Sequence, residues 1–352
     1  MYSRNASNQQ EIEPGQPSSV APPAYDDSSS SSQKAPPALT YGSTVANLLQ
    51  NVPTELQADY ISGYESKKVG MLNHEARVCL ILDVSASMQN PNEFFEHRVK
   101  GNQVQRLINK ALTLGFLFDD NQTIELFPFG DKVYPPLLID RNNFMNATQL
   151  VLASIGGLKS STNYASPVEA VRQHYFKQSG VLTQPQKCSD APVFAIFITD
   201  GEPTTAKVEA MNQFKSASHQ AIFFKFIALK GKQEDQQFLY LNSIDDADVK
   251  EKTEDDGFYI DNCDLVVLNN PDELTMNKLI HEYRPWLVEA YKVKHLLSHN
   301  AGITDVSLNS EGRVVSRASS NRNALFNEMK QDHHNANEGI VPPHQNACCI
   351  IL

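Results

Sequence analysis

The chain has 352 residues, 41% hydrophobic and 20% charged, with a formal net charge of −11. That is enough apolar material for one large domain or two small ones, and the acidity argues against nucleic acid, whose binding needs clustered Lys and Arg. No stretch approaches the roughly 18–20 apolar residues of a membrane span, and the first 40 residues hold no apolar segment of a secretory signal. Five cysteines are too few and too scattered for a disulfide framework. Cys79 lies inside an apolar run and reads as a small buried thiol. A reducing cytosol is therefore expected, where the N-x-T sequences at Asn121 and Asn146 carry no meaning.

Residues 1–43 are rich in Ser, Pro and Gln. Such a segment cannot bury enough apolar surface to offset the cost of ordering, and a disordered arm is expected. Within it, Pro22-Pro23-Ala24-Tyr25 matches PPxY, the ligand class of WW domains, whose aromatic grooves bind preset polyproline II at low entropy cost. By resemblance, WW domains of HECT-type ubiquitin ligases are the readers; the alternative is a Pro-rich spacer.

Residues 44–297 read as one globular domain. "ARVCLILDV" (76–84) is a continuous apolar run that fits a strand covered on both faces. Val104, Leu107, Ile108, Ala111, Leu112 and Gly115 then recur at helical spacing. "TIELFPFG" reads as a strand, with Pro128 pushing it toward a sheet edge or a strand end. "SPVEAVRQHYF" reads as a helix start, with Ser166 as cap, Pro167 at the first helical position and Glu169 completing a capping box. "PVFAIFITD" (192–200), "AIFFKFIAL" (221–229) and "DLVVLN" (264–269) are further strands, and "PDELTMNKLIHEYRPWLVEAYK" is a closing helix, interrupted before Pro285. Alternating strands and helices, with strands too apolar to face water, predict an α/β fold: a doubly wound, mostly parallel sheet with helices on both faces.

Residues 298–347 turn polar and read as a flexible linker, and 348–352 form a lipidation box. Cys349-Ile350-Ile351-Leu352 fits C-a-a-X, with a terminal Leu that specifies geranylgeranyl transfer to Cys349. One lipid anchors only marginally, so a second signal is expected, and Cys348 is the candidate for palmitoylation. A prenyl tail requires a eukaryotic cytosol. The expected location is the cytosolic face of a eukaryotic membrane, or a host membrane if the protein is a secreted bacterial effector.

Ligands of doubly wound sheets sit outside the carboxyl ends of strands, and two of the predicted strands end there in acids, Asp83 and Asp200. Three polar stretches should meet at that edge: Asp83-x-Ser85-x-Ser87, Thr162 in "GGLKSSTNYASP", and Asp200 in "ITDGEP". Their oxygens suit a small hard cation such as Mg²⁺, with Mn²⁺ or Ca²⁺ as substitutes. Two acids and a few neutral hydroxyls leave such an ion short of a full cage, open to a carboxylate from a protein partner.

These stretches resemble the metal-ion-dependent adhesion site (MIDAS) of von Willebrand factor A (vWA) domains. Across roughly residues 50–295 the chain is similar to the vWA branch found in TerF-type tellurium-resistance proteins, through "ARVCLILDVSASM", "FLFDDNQTIELFPFG", "TNYASPVEA", "FITDGEP", "IFFKFIALKG", "IDNCDLVVLN" and "HEYRPWLVEA". The resemblance implies Ser85, Ser87 and Thr162 as direct metal ligands, with Asp83 and Asp200 bonded directly or through water. It also implies a protein-binding adaptor. The second cation site of integrin-type domains is not implied, because "QNPNE" follows the serines where those domains carry further acids.

Two plainer readings compete. Asp83 and the serines could merely cap the next helix, although that would leave Thr162 and Asp200 unexplained. A metal-dependent phosphoryl-transfer enzyme is the other. Against it, an aspartyl phosphotransferase needs an acid where Ser85 stands, and no G-x-S-x-G, Walker loop or G-x-G-x-x-G is present. The histidines show no metal-ligand spacing, and a non-enzymatic module is expected.

Overall fold

The computed structural model describes residues 49–68, 70–88, 94–95, 102–157, 161–188, 190–231, 238–245 and 258–298, together with strand residues 306–308 and 314–316. The PPxY motif (Pro22, Pro23, Tyr25) and the lipidation cysteines Cys348 and Cys349 lie outside the described residues.

Six strands form one sheet: β1 (Arg77–Asp83), β2 (Ile124–Phe129), β3 (Leu137–Ile139), β4 (Val193–Thr199), β5 (Ile222–Leu229) and β6 (Cys263–Leu268). Their order is β3-β2-β1-β4-β5-β6, and every pairing is parallel except that of β2 with the edge strand β3. This is the expected α/β architecture. The long apolar runs follow from burial on both faces: every residue of β4 and β5 is buried.

Alternation along the strands splits the core in two. Val78, Leu80 and Leu82 of β1 face one layer, built from α1 (Gln57–Lys68), α2 (Gln103–Phe118) and α3 (Ala147–Ile155). Cys79 and Ile81 face the other. That second layer is built from α4 (Ala165–Phe176), α5 (Lys207–Ala217) and α6 (Leu239–Asp245). The closing segment is broken, as its Pro285 predicts, into α7 (Met276–Ile280) and α8 (Tyr283–Lys292), which join the first layer. Two short strands, β7 (Val306–Leu308) and β8 (Val314–Ser316), pair antiparallel within the stretch read as linker. Among the described residues no helix is long and apolar enough to cross a membrane.

Two local expectations need refinement. Pro128 lies one residue from the end of β2, yet β2 is internal. Proline is tolerated because β3 pairs only with Ile124–Leu126, and beyond it the chain folds back so that Tyr134 N–H donates to Pro128 O. Ser166 is not the cap of α4. The helix begins at Ala165, whose N–H donates to Asn163 Oδ1 at 3.0 Å, so an asparagine turn replaces the predicted capping box.

The topology also places the functional edge. From β1 the chain winds outward through β2 to β3, then crosses to β4 and winds the other way through β5 to β6. The reversal leaves a crevice between the carboxyl ends of β1 and β4, where open α/β sheets bind ligands.

Candidate metal centre

Strand register puts the Asp83 and Asp200 stretches side by side. Leu82 of β1 pairs with Ile198 of β4, so Asp83 stands beside Thr199 and next to the turn that carries Asp200. After Asp83 the chain leaves the sheet at once. Ser85 N–H donates back to Asp83 Oδ1 at 2.8 Å, and a single 3₁₀ turn over Ala86–Met88 follows. The turn swings Ser87 over the strand end, where its hydroxyl donates to Asp200 Oδ1 at 2.8 Å. Ser85 Oγ lies 3.1 Å from Ser87 Oγ. Ser87 has spent its one proton on Asp200, so Ser85 is the donor of that pair. Asp83, Ser85, Ser87 and Asp200 thus form one connected cluster. The serines do not cap the helix that follows: α2 is capped by Asn102, whose Oδ1 accepts from Gln105 N–H.

Thr162 is tied to the loop after Asp200 through its backbone. Its N–H donates to Thr204 Oγ1 at 3.0 Å and its carbonyl accepts from Thr204 N–H at 2.9 Å, which stitches its loop to the loop after Asp200. The next residue, Asn163, donates its N–H to Gly130 O at the end of β2. All five expected positions therefore belong to one sheet edge, four joined in a chain of hydrogen bonds and Thr162 tied by Thr204 to the loop after Asp200. The Asp200 loop ends at Ala206, which holds a left-handed backbone (φ +55°) costly for a residue with a Cβ.

Burial sets the electrostatics. Asp83 is wholly inaccessible and Asp200 nearly so. Burial, and next the neighbouring Asp200 carboxylate, push the Asp83 carboxyl up to about 7, against the opposing hydrogen bonds from Thr199 and Ser85. Two acids held this close in a dry site favour any species that brings positive charge. Among the described residues no three side chains of His, Cys, Asp or Glu gather so as to hold a metal ion. The donors here are two carboxylates and hydroxyls instead. Their protons point at one another and at the acids, which leaves oxygen lone pairs for a guest. An all-oxygen set of this kind fits a hard divalent cation and not a soft one.

Sequence reading did not find Thr199 and Tyr164. Thr199 O–H donates to Asp83 Oδ2 at 2.7 Å, and Tyr164 O–H reaches both Thr199 Oγ1 and Gly201 O. The available signal was the one hydroxyl ending the apolar run of β4.

Residues 75–296 match the family model for the vWA found in the TerF C terminus. No protein of curated function matches the chain. Among solved structures, a von Willebrand factor type A protein from Catenulispora acidiphila is 14% identical, with 60% of this chain and 42% of that one covered and a TM-score of 0.38. Proximal thread matrix protein 1 from the mussel byssus is 14% identical, with 59% and 46% covered and a TM-score of 0.39. An aerotolerance-related membrane protein from Bacteroides fragilis, carrying multiple mutations to serines, is 17% identical, with 59% and 99% covered and a TM-score of 0.36. The chain spans less than half the length of the first two.

Proposed function

This chain belongs to the vWA family, in its TerF-like branch, and on that premise we propose that it is a non-enzymatic adaptor that grips a protein partner through a divalent cation. The observation that carries the reading is the pair of buried acids, Asp83 and Asp200, connected through the Ser85 N–H on Asp83 and the Ser85 and Ser87 hydroxyls leading to Asp200, at the crevice where the sheet reverses direction. Ser85, Ser87 and Thr162 would hold the ion directly, and Asp83 and Asp200 directly or through water. Bound there, Mg²⁺ (or Mn²⁺ or Ca²⁺) supplies an electrophilic position for a partner's Asp or Glu carboxylate. The chain's own part is to hold its oxygens in place and keep the acid pair dry. Domains of this family commonly serve protein–protein contact, which supports a binding role over catalysis.

The two ends of the sequence extend the proposal. Geranylgeranyl on Cys349, with palmitoyl on Cys348, would hold the protein on a cytosolic membrane face, and PPAY at 22–25 would call a WW-domain ligase to whatever the domain holds.

The test is calorimetric titration of the full chain with Mn²⁺, followed by pull-down of partners. The wild-type chain should take up one ion, and Asp83→Ala or Asp200→Ala should weaken uptake by at least about tenfold. Bound partner should be lost in EDTA and in Asp83→Ala alike. Partner capture unchanged in both would refute the metal-completed contact.

A further inference from the structure

Beneath the acid pair runs a chain of buried hydroxyls. Tyr164, immediately before α4, is fully buried. Its ring is wedged edge-on against Phe197 at 4.8 Å, Phe129 at 5.9 Å and Tyr240 at 6.1 Å. Its hydroxyl lies 3.0 Å from Thr199 Oγ1 and also reaches Gly201 O. Thr199 Oγ1 lies 2.7 Å from Asp83 Oδ2 and 3.3 Å from Gly201 O.

Counting protons fixes the direction of this chain. The Asp83 carboxylate and the Gly201 carbonyl can only accept, and Thr199 has a single hydroxyl proton. The carboxylate is both the nearer and the charged acceptor, so it takes that proton. Tyr164 also has a single proton, which Thr199 Oγ1 and Gly201 O share as acceptors, so Thr199 accepts from Tyr164 and keeps its own proton for Asp83. Ser85 N–H already holds the other Asp83 oxygen at 2.8 Å. Each carboxylate oxygen then has its own fixed donor, and the group cannot rotate without leaving a buried acceptor unmet.

Tyr164 also links all three site stretches. It follows Thr162 by two residues, it stands behind Asp83 through Thr199, and it bonds the carbonyl next to Asp200.

We propose that Tyr164 and Thr199 are positioning residues of the metal centre, a two-hydroxyl strut that locks the Asp83 carboxylate and ties the Thr162 and Asp200 loops to it. The inference rests on the metal reading above. Neither residue touches the ion; both act through Asp83 and the loops.

The experiment is Mn²⁺ titration of the full chain by calorimetry, beside urea unfolding of the metal-free chain. Tyr164→Phe keeps the ring and its packing and removes only the hydroxyl. It should weaken Mn²⁺ binding by about 10–100-fold, as loss of an outer-shell partner does. Thr199→Val should do the same, and Thr199→Ser, which keeps a hydroxyl, should bind within a few-fold of wild type. The double variant should be no worse than the weaker single, because both residues work through one chain. Full-strength Mn²⁺ binding by folded Tyr164→Phe, even with lowered urea stability, would overturn the inference, as would fully additive losses. Should Thr199→Val fail to fold, Tyr164→Phe and Thr199→Ser decide. A wild-type chain that takes up no Mn²⁺ overturns the metal reading and this inference with it. Wild-type uptake with unaffected variants removes this inference alone.

Discussion

Lys67 is a cation placed where the fold offers it little but a carbonyl and a ring. It is the penultimate residue of α1, is 8% exposed, donates Nζ–H to Leu117 O, and stands 4.8 Å from the centre of the Phe118 ring. Burial pulls its ammonium down to about 8 from 10.5, against a smaller opposing attraction from Glu75. Between those two values the unfolded chain binds the extra proton, so this group makes stability rise with pH across that window. Below about 8 its cost is present in full. Lys67→Met removes the desolvated charge and keeps the stem, at the loss of one hydrogen bond to Leu117 O. The expected gain at pH 7 is about 1–2 kcal/mol, a discounted share of the cost that a depressed lysine carries. Urea denaturation of both forms at pH 7 and pH 10 checks it: the advantage should shrink at the higher pH. An advantage that holds constant would show that packing, and not the proton, is responsible.

At the scale of elements, the fit of α2 on the sheet depends on a missing side chain. A Cβ at Gly115 would lie 2.9 Å from Ile124 Cγ2 and 3.0 Å from Thr123 O, and the second of these is backbone that cannot swing aside. Gly115→Ala should gain about 1 kcal/mol of helix propensity and lose about 1–3 kcal/mol to overpacking. The expected net is a destabilised chain, read as a lower urea midpoint with an unchanged slope. Sequence reading placed Gly115 on the helix stripe but could not say what the stripe would meet, because that contact spans two elements. The same divide runs through the whole reading. The strands were legible because burial on both faces leaves unbroken apolar runs. Helix α1 was not, because "QADYISGYESKK" buries only Tyr60, Gly63 and Lys67 and shows no apolar stripe. That Asp83 and Asp200 share one edge was legible because each closes an apolar strand run of a parallel sheet. Thr199 was hidden because its bond to Asp83 follows from the register of β1 against β4, and Tyr164 because its bonds run from the turn before α4 to the end of β4; no linear spacing encodes either.

At the scale of the molecule, the proposed function divides the work between the domain and its two ends. The described residues offer no helix to cross a bilayer, and the net charge of −11 disfavours an anionic membrane surface. On the proposed reading, membrane attachment falls to Cys348 and Cys349. A single isoprenoid binds only marginally and reversibly, so Cys348 and Cys349 should not be equivalent. In that proposal prenylation precedes acylation, because the prenyl group would bring the tail to the membrane where an acyl chain can be added. A fluorescent fusion at the N terminus, expressed in eukaryotic cells, should be membranous. Cys349→Ser should make it fully diffuse, since neither lipid is then installed. Cys348→Ser should leave a partial, exchanging membrane pool, visible as faster recovery after photobleaching. Mass spectrometry of the intact protein adds the chemical readout: loss of Ile350–Leu352 and a gain of the prenyl mass on Cys349. Identical distributions for wild type and Cys349→Ser, with an unprocessed C terminus, would leave the vWA domain as a soluble adaptor and assign the terminal box no role.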